Sequence, residues 1–162
     1  MKWQNLKDLY VHELRDLYAA QTRLLGLWSR LGEAAATPEL RAFCGAHAHD
    51  SGSRRARIVT VCEELGVVPD GVKCEAIAGL QRQADTIMEV DGAEAVREAG
   101  LIALGNHIEH YEMAAYGAAR THARLLGYED QARLLQQSLH EAGTSDRNLT
   151  LLAERIYAQA AC

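Results

Sequence analysis

Proline is scarce in this chain, with two in 162 residues. At 48% hydrophobic residues, that excludes a disordered or fibrous polypeptide and suits one domain, residues 1–162, with a core of its own. No apolar run is long enough to span a bilayer. Residues 1–15 carry charges throughout and lack the hydrophobic stretch of a secretory leader. The four cysteines, Cys44, Cys62, Cys74 and Cys162, are scattered and form no C-x-x-C pair. Cys44 and Cys62 stand 18 residues apart in one helical pattern, too far to bridge each other. The simplest expectation is a reduced, cytoplasmic protein. Positive charge is not in surplus either: 17 Lys and Arg stand against 22 Asp and Glu, a net charge of −5. That argues against nucleic acid or an anionic membrane as the partner. One small basic cluster, Arg54, Arg55 and Arg57, reads as a solvated helix face with one arginine turned inward.

No strand alternation, low-complexity tract or interdomain linker is present. What is present is helical periodicity. Leu6, Leu9, Tyr10, Glu13, Leu17, Gln21, Leu24, Trp28 and Leu31 recur at three- and four-residue steps, which predicts one amphipathic helix over about 3–33. Thr37-Pro38-Glu39 restarts the chain, with threonine as N-cap and proline at the first helical position. A second helix then carries Leu40, Phe43, His47, Asp50, Arg54, Ile58, Val61 and Leu65, with Gly66 at its C-terminal end. Pro69-Asp70-Gly71 is turn chemistry. Cys74, Ile77, Leu80, Ala84 and Ile87 predict a shorter helix to about Val90. Two further long helices follow, over about 93–126 and 130–159, divided at Gly127. Two hairpins joined by a long connection that contains a short helix define a ferritin-like topology for an all-α four-helix bundle.

The inward faces of these helices carry acids and histidines, which are costly to bury unless paired, hydrogen-bonded or metal-bound. His47 and Asp50 stand at i and i+3, as do Glu109 and Glu112, so each pair faces one side of its helix. Counted from the hairpin turns at about 1.5 Å per residue, Gln21 and Asp50 fall at one depth. Glu112 lies level with about Ala142, and Glu109 with Asp146. One polar layer across all four helices is therefore expected. Iron or manganese takes hard carboxylate oxygens with some imidazole nitrogen. The candidate metal ligands are His47, Asp50, Glu109, Glu112 and Asp146. The competing reading of the same residues is a polar layer fixed by hydrogen bonds and salt bridges alone. The other histidines read as peripheral. Gly105, Ala114, Ala115, Gly117, Ala118 and Ala119 permit close helix packing and identify no function.

Leu6-Lys7-Asp8-Leu9-Tyr10, the stretch Glu13-Leu14-Arg15-Asp16-Leu17-Tyr18-Ala19-Ala20, Pro38-Glu39-Leu40 and Lys73-Cys74-Glu75-Ala76 form a recognisable series. So do Glu109-His110-Tyr111-Glu112-Met113-Ala114-Ala115-Tyr116-Gly117 and Leu134-Leu135-Gln136-Gln137-Ser138-Leu139. Through them the chain resembles the YciE/YciF family of ferritin-like bacterial stress proteins over nearly its whole length. The resemblance implies a ferritin-like bundle, a homodimer, a stress-associated role and a di-metal centre. It supplies no reaction and no small-molecule substrate. The crossover helix around Ile77, Leu80 and Ile87 is a candidate for covering or extending the dimer interface. Against the family pattern, Gln21 stands for a glutamate, Asp50 for a longer acid, Ala142 for a second acid after Glu141, and Arg54 for a neutral glutamine. Two negative charges are lost and one positive charge gained. Arg54 is therefore expected to turn inward and pair with Asp50 or with a glutamate of the third long helix. Two functions follow. One is a metal protein with a partly eroded iron or manganese centre, at reduced occupancy, that reacts with oxygen or peroxide. The other is a metal-free bundle, a scaffold or interaction protein whose polar core is held by Arg54.

Overall fold

The computed structural model describes residues 3–160, with side chains to residue 158. Five helices follow in order: α1 (Leu6–Ala34), α2 (Pro38–Glu64), α3 (Glu75–Glu89), α4 (Glu94–Leu125) and α5 (Glu129–Ala160). Local chemistry accounts for their ends. The Asn5 side chain accepts from the Asp8 amide at 3.0 Å, so α1 starts three residues later than periodicity predicts and Trp3 lies outside it. The Thr37 hydroxyl accepts from the Leu40 amide, and Pro38 takes the first turn of α2. Gly66 and Gly127 adopt φ of 67° and 79° just past α2 and α4. In both places the amide of the next residue bonds back to a helix carbonyl, Val67 to Cys62 and Tyr128 to Ala123, the paired closure that glycine allows at a helix end.

Helix α1 packs along α2, and α4 along α5, as two hairpins. Contacts that climb α1 descend α4: Glu13 meets His122, Gln21 meets Glu112, and Trp28 lies against Gly105. The first and third long helices are thus antiparallel, which requires the crossover and excludes up-down-up-down threading. Short helix α3 lies across α1 and α4. Ile77 and Ala84 are fully buried, while Leu80, Ile87 and Met88 pack half-buried against the core. The apolar stripe expected to face a second subunit is spent largely inside the chain. Arg30–Asp85 at 2.6 Å and Arg23–Gln81 at 3.2 Å hold its outer edge. Tyr111 donates to Asp16 at 2.6 Å and lies 3.0 Å from the Cys74 sulfur, tying the start of α3 to α1 and α4.

The buried apolar side chains form two clusters. One gathers around Leu24, Trp28, Leu31, Ile102, Leu104, Ile108 and Leu149. The other gathers around Tyr10, Leu14, Leu17, Ile58, Val61, Tyr116 and Ala119. Each fully buried leucine or isoleucine contributes about 1.5–3 kcal/mol. Between the clusters, where Gln21, His47, Arg54, Glu109 and Glu112 are all buried, the bundle is polar. Cys44, Cys62 and Cys74 are free and buried. Burial pushes the Cys44 thiol up to about 12, far from a reactive thiolate. Cys162 lies outside the described residues.

Candidate functional site

Helical spacing brings the polar layer together. His47, Ser51 and Arg54 stand at i, i+4 and i+7 on α2, and Glu109, Glu112 and Tyr116 at i, i+3 and i+7 on α4. Helix α1 adds Gln21, and α5 adds Ser138, Glu141 and Ala142.

Arg54 is the hub. Its side chain is 1% exposed, and Nη1 donates to both carboxylate oxygens of Glu112 at 2.9 Å. The same nitrogen lies 3.9 Å from Glu109 Oε2, and Nε lies 3.5 Å from Glu141 Oε2. Burial works to lower the arginine's pKa, but Glu112 and Glu109 outweigh it and raise it. The Gln21 amide also donates to Glu112 Oε1. At the outer edge Arg57 grips Glu141 with two bonds of 2.6 and 2.8 Å and reaches Ser138 at 2.8 Å. Burial would raise the Glu141 pKa; the Arg57 hydrogen bonds prevail and lower it.

His47 is oriented from both sides. Its ring stacks on Phe43 at 3.8 Å and lies 5.0 Å from Trp28. Nδ1 is 2.8 Å from the Phe43 carbonyl. A carbonyl only accepts, so Nδ1 carries the proton in that bond. Nε2 then faces Glu109 Oε1 at 3.2 Å, out of line for a well-formed hydrogen bond. An unprotonated Nε2 and an ionised carboxylate would set lone pair against lone pair, so the contact favours one further proton on Glu109. Glu109 is pushed up to about 7, by burial first and then by the Glu112 charge, against His47 and Arg54. With that proton in place the layer is neutral: Arg54 and Arg57 balance Glu112 and Glu141.

Three of the five predicted ligands, His47, Glu109 and Glu112, lie in this layer. Asp50 is half-buried and, among the described residues, makes no side-chain hydrogen bond or ion pair, so of its two expected partners Arg54 takes the α4 glutamate. Asp146 faces the exposed ring of His110 at 3.7 Å. Glu141, Arg57, Ser138, Ser51 and Tyr116 belong to the layer and were not among the predicted ligands. Glu141 was legible as the acid beside Ala142; the inward reach of Arg57 was not, because its helix face also carries exposed charge.

A centre for two divalent ions does not fit these residues. The Arg54 guanidinium bonds both oxygens of Glu112 and also neighbours Glu109, the place a bridging cation would take. Gln21 donates where a further acid would be needed. Among the described residues no three His, Cys, Asp or Glu side chains are gathered as a ligand set.

Eight buried polar atoms of the layer make no well-formed hydrogen bond to protein: Gln21 Oε1, His47 Nε2, Ser51 Oγ, Arg54 Nε and Nη2, Glu109 Oε1 and Oε2, and Tyr116 Oη. His47 Nε2 and Glu109 Oε1 at least face each other, and Arg54 Nε faces Glu141. Tyr116 Oη lies beside Ser138 but not in hydrogen-bond geometry. A buried polar atom left wholly unpaired costs about 1–3 kcal/mol. Glu109 Oε2 faces Arg54 Nη1 at 3.9 Å. For the three atoms with no facing partner, Gln21 Oε1, Ser51 Oγ and Arg54 Nη2, the sum is about 3–9 kcal/mol, a large share of the stability of a typical domain.

Fold and layer together define a class: a five-helix ferritin-like bundle whose polar centre is closed by an internal cation. The chain belongs to the family described as Domain of unknown function (DUF892), which it matches over residues 5–162. It is 34% identical over 154 residues to Protein YciF of Escherichia coli strain K12, covering 94% of this chain and 93% of that one. The crystal structure of the E. coli stress protein YciF superposes with a TM-score of 0.93 at 33% identity, over 96% of this chain and 99% of that one. YcfI from Rhodopseudomonas palustris follows with a TM-score of 0.87 at 32% identity, over 91% and 94%. A protein from Xanthomonas campestris shares the fold, with a TM-score of 0.75 at 17% identity over 95% and 94%. Among the described residues no helix is long and apolar enough to cross a membrane.

Proposed function

We propose that this chain is a stress-associated bundle protein of the YciF type that works without a di-metal centre, as a scaffold or interaction protein. The observation that carries the reading is Arg54, buried and bonded to both oxygens of Glu112. A guanidinium there supplies the positive charge that a metal ion would otherwise bring, and it cannot be deprotonated in a protein. In the same proposal the protein is a cytoplasmic homodimer, supported by its family membership; sedimentation of a 17.8 kDa species alone at micromolar concentration would count against the dimer.

A second reading keeps one iron or manganese ion at reduced occupancy, favoured by His47 Nε2 facing Glu109. Elemental analysis of protein purified without chelators, with melts in EDTA and in added iron(II) or manganese(II), separates the two. The first reading expects far less than one ion per chain and one melting temperature throughout. One ion per chain with a raised melting temperature selects the second, and two tightly bound ions overturn both. The combination Gln21→Glu, Arg54→Gln and Ala142→Glu restores the acids and removes the internal cation, and it is expected to raise metal affinity.

A further inference from the structure

We propose that the polar layer is a binding site for a small cluster of ordered water molecules, enclosed between the two apolar clusters of the bundle. Its lining is Gln21, Ser51, Arg54, Glu109 and Tyr116.

The unmet groups differ in hydrogen-bonding capacity. Arg54 Nη2 has only donors to offer. The hydroxyls of Ser51 and Tyr116 each have one donor and acceptor capacity. Gln21 Oε1 and Glu109 Oε2 accept. All five atoms are inaccessible at the surface, and among the described residues none makes a well-formed hydrogen bond. Glu109 Oε2 has only the long contact of 3.9 Å to Arg54 Nη1, and Tyr116 Oη only the neighbouring Ser138. Native interiors almost never leave such groups alone; they are met by protein or by ordered water.

Direct re-pairing is blocked for Gln21 Oε1 and Arg54 Nη2. Gln21 is held by its own amide on Glu112, so its oxygen cannot rotate away without breaking that bond. Arg54 is held through Nη1 on Glu112, which sets the direction of Nη2. Ser138, beside Tyr116, accepts from Arg57 and keeps one donor and one lone pair, so it can meet one bond of the Tyr116 hydroxyl and leaves the other unmet. Ser51 lies between His47 and Arg54 on the α2 face and has not turned back to its own helix carbonyl.

The mix of unmet groups identifies the occupant. A divalent cation would oppose the guanidinium. An anion would add negative charge to a layer where three carboxylates, Glu109, Glu112 and Glu141, already face two guanidiniums, Arg54 and Arg57. A molecule that both donates and accepts suits all five atoms, and water makes two to four such bonds. On the order of three molecules would complete the set.

The test is a high-resolution crystal structure of the native full-length protein, with the Tyr116→Phe and Ser51→Ala variants beside it. The expected result is ordered water within about 2.7–3.2 Å of at least two of the five atoms, with one molecule lost or displaced in Tyr116→Phe. Should that variant fail to fold, water relaxation dispersion on the native protein still reads long-lived internal water. Density showing the five atoms bonded directly to one another, or an ion within about 2.0–2.2 Å of the carboxylates, would overturn the proposal. Direct bonding with the Arg54–Glu112 pair intact would leave the metal-free reading standing, whereas an ion between those carboxylates would end both.

Discussion

Replacing Arg54 by methionine tests the role of the internal cation. Methionine retains most of the unbranched stem, so packing changes little and the measurement reads mainly the charge. In the native protein Arg54 and Glu112 are 1% and 0% exposed. Removing one partner of a pair so deeply buried leaves the other uncompensated, at about 3–5 kcal/mol. For a chain of this size each kcal/mol moves the melting temperature by about 2–4 °C, so a fall of roughly 6–20 °C is expected. Glu112→Gln alone should cost less, because Arg54 keeps Glu109 and Glu141 at 3.9 and 3.5 Å. The double variant should recover much of the arginine loss, giving a coupling energy of a few kcal/mol. Urea unfolding followed by circular dichroism at pH 7, with an unchanged m-value, is the assay. The deficit of Arg54→Met should also shrink toward pH 5, as the abandoned carboxylates take up protons. An Arg54→Met protein within about 1 kcal/mol of native, or strict additivity in the cycle, would refute the argument that this guanidinium holds the layer.

Glu109 predicts a pH dependence of the opposite sign to an ordinary surface carboxylate. Its folded value of about 7 lies above its usual 4.5, so its contribution to stability is complete below about 4.5 and is lost as pH rises through about 7. Glu109→Gln should flatten that part of the stability curve, and an unchanged slope would show that another group sets it. A Cβ on Gly105 would lie 2.5 Å from the Leu149 Cδ2 atom, and that leucine is fully buried. Gly105→Ala should therefore destabilise by about 1–3 kcal/mol. Nothing lies within 4 Å of the same position on Gly117, where alanine should stabilise by about 0.5–1 kcal/mol, and thermal melts compare the two. Thr37→Ala removes both the α2 cap and the hydroxyl bond of 2.8 Å to Glu98 that joins the hairpins. A loss of about 1–2 kcal/mol is expected, and an unchanged urea midpoint would contradict it.

Much of the fold was already legible along the chain, because each helix announces itself locally. Apolar steps of three and four residues, the Thr37-Pro38 start and the glycines at 66 and 127 place α2 through α5 within about two residues. The missed start of α1 has a local cause too: the Asn5 cap was not recognised in the periodicity. Counting depth set Gln21 level with Asp50; in the structure its partner across the shared polar layer is Glu112 instead. Asp50 and Asp146 show the limit of the method. Asp50 is half-buried and apart from the Arg54 ion pairs, and Asp146 lies beside His110.

The inventory of polar residues, the gain of Arg54 and the absence of acids at positions 21 and 142 belong to the sequence by itself, as do the five helices. Which carboxylate Arg54 chooses, the placing of Arg57 and Glu141 at the rim, and the facing of His47 and Glu109 at 3.2 Å were decided only by the tertiary structure. The reason is physical. Periodicity sets a residue's face to within about a third of a turn, enough to bury a leucine that is satisfied by any apolar neighbour. A hydrogen bond needs its partner within a few tenths of an ångström and in line, and that precision exists only once the four long helices have packed.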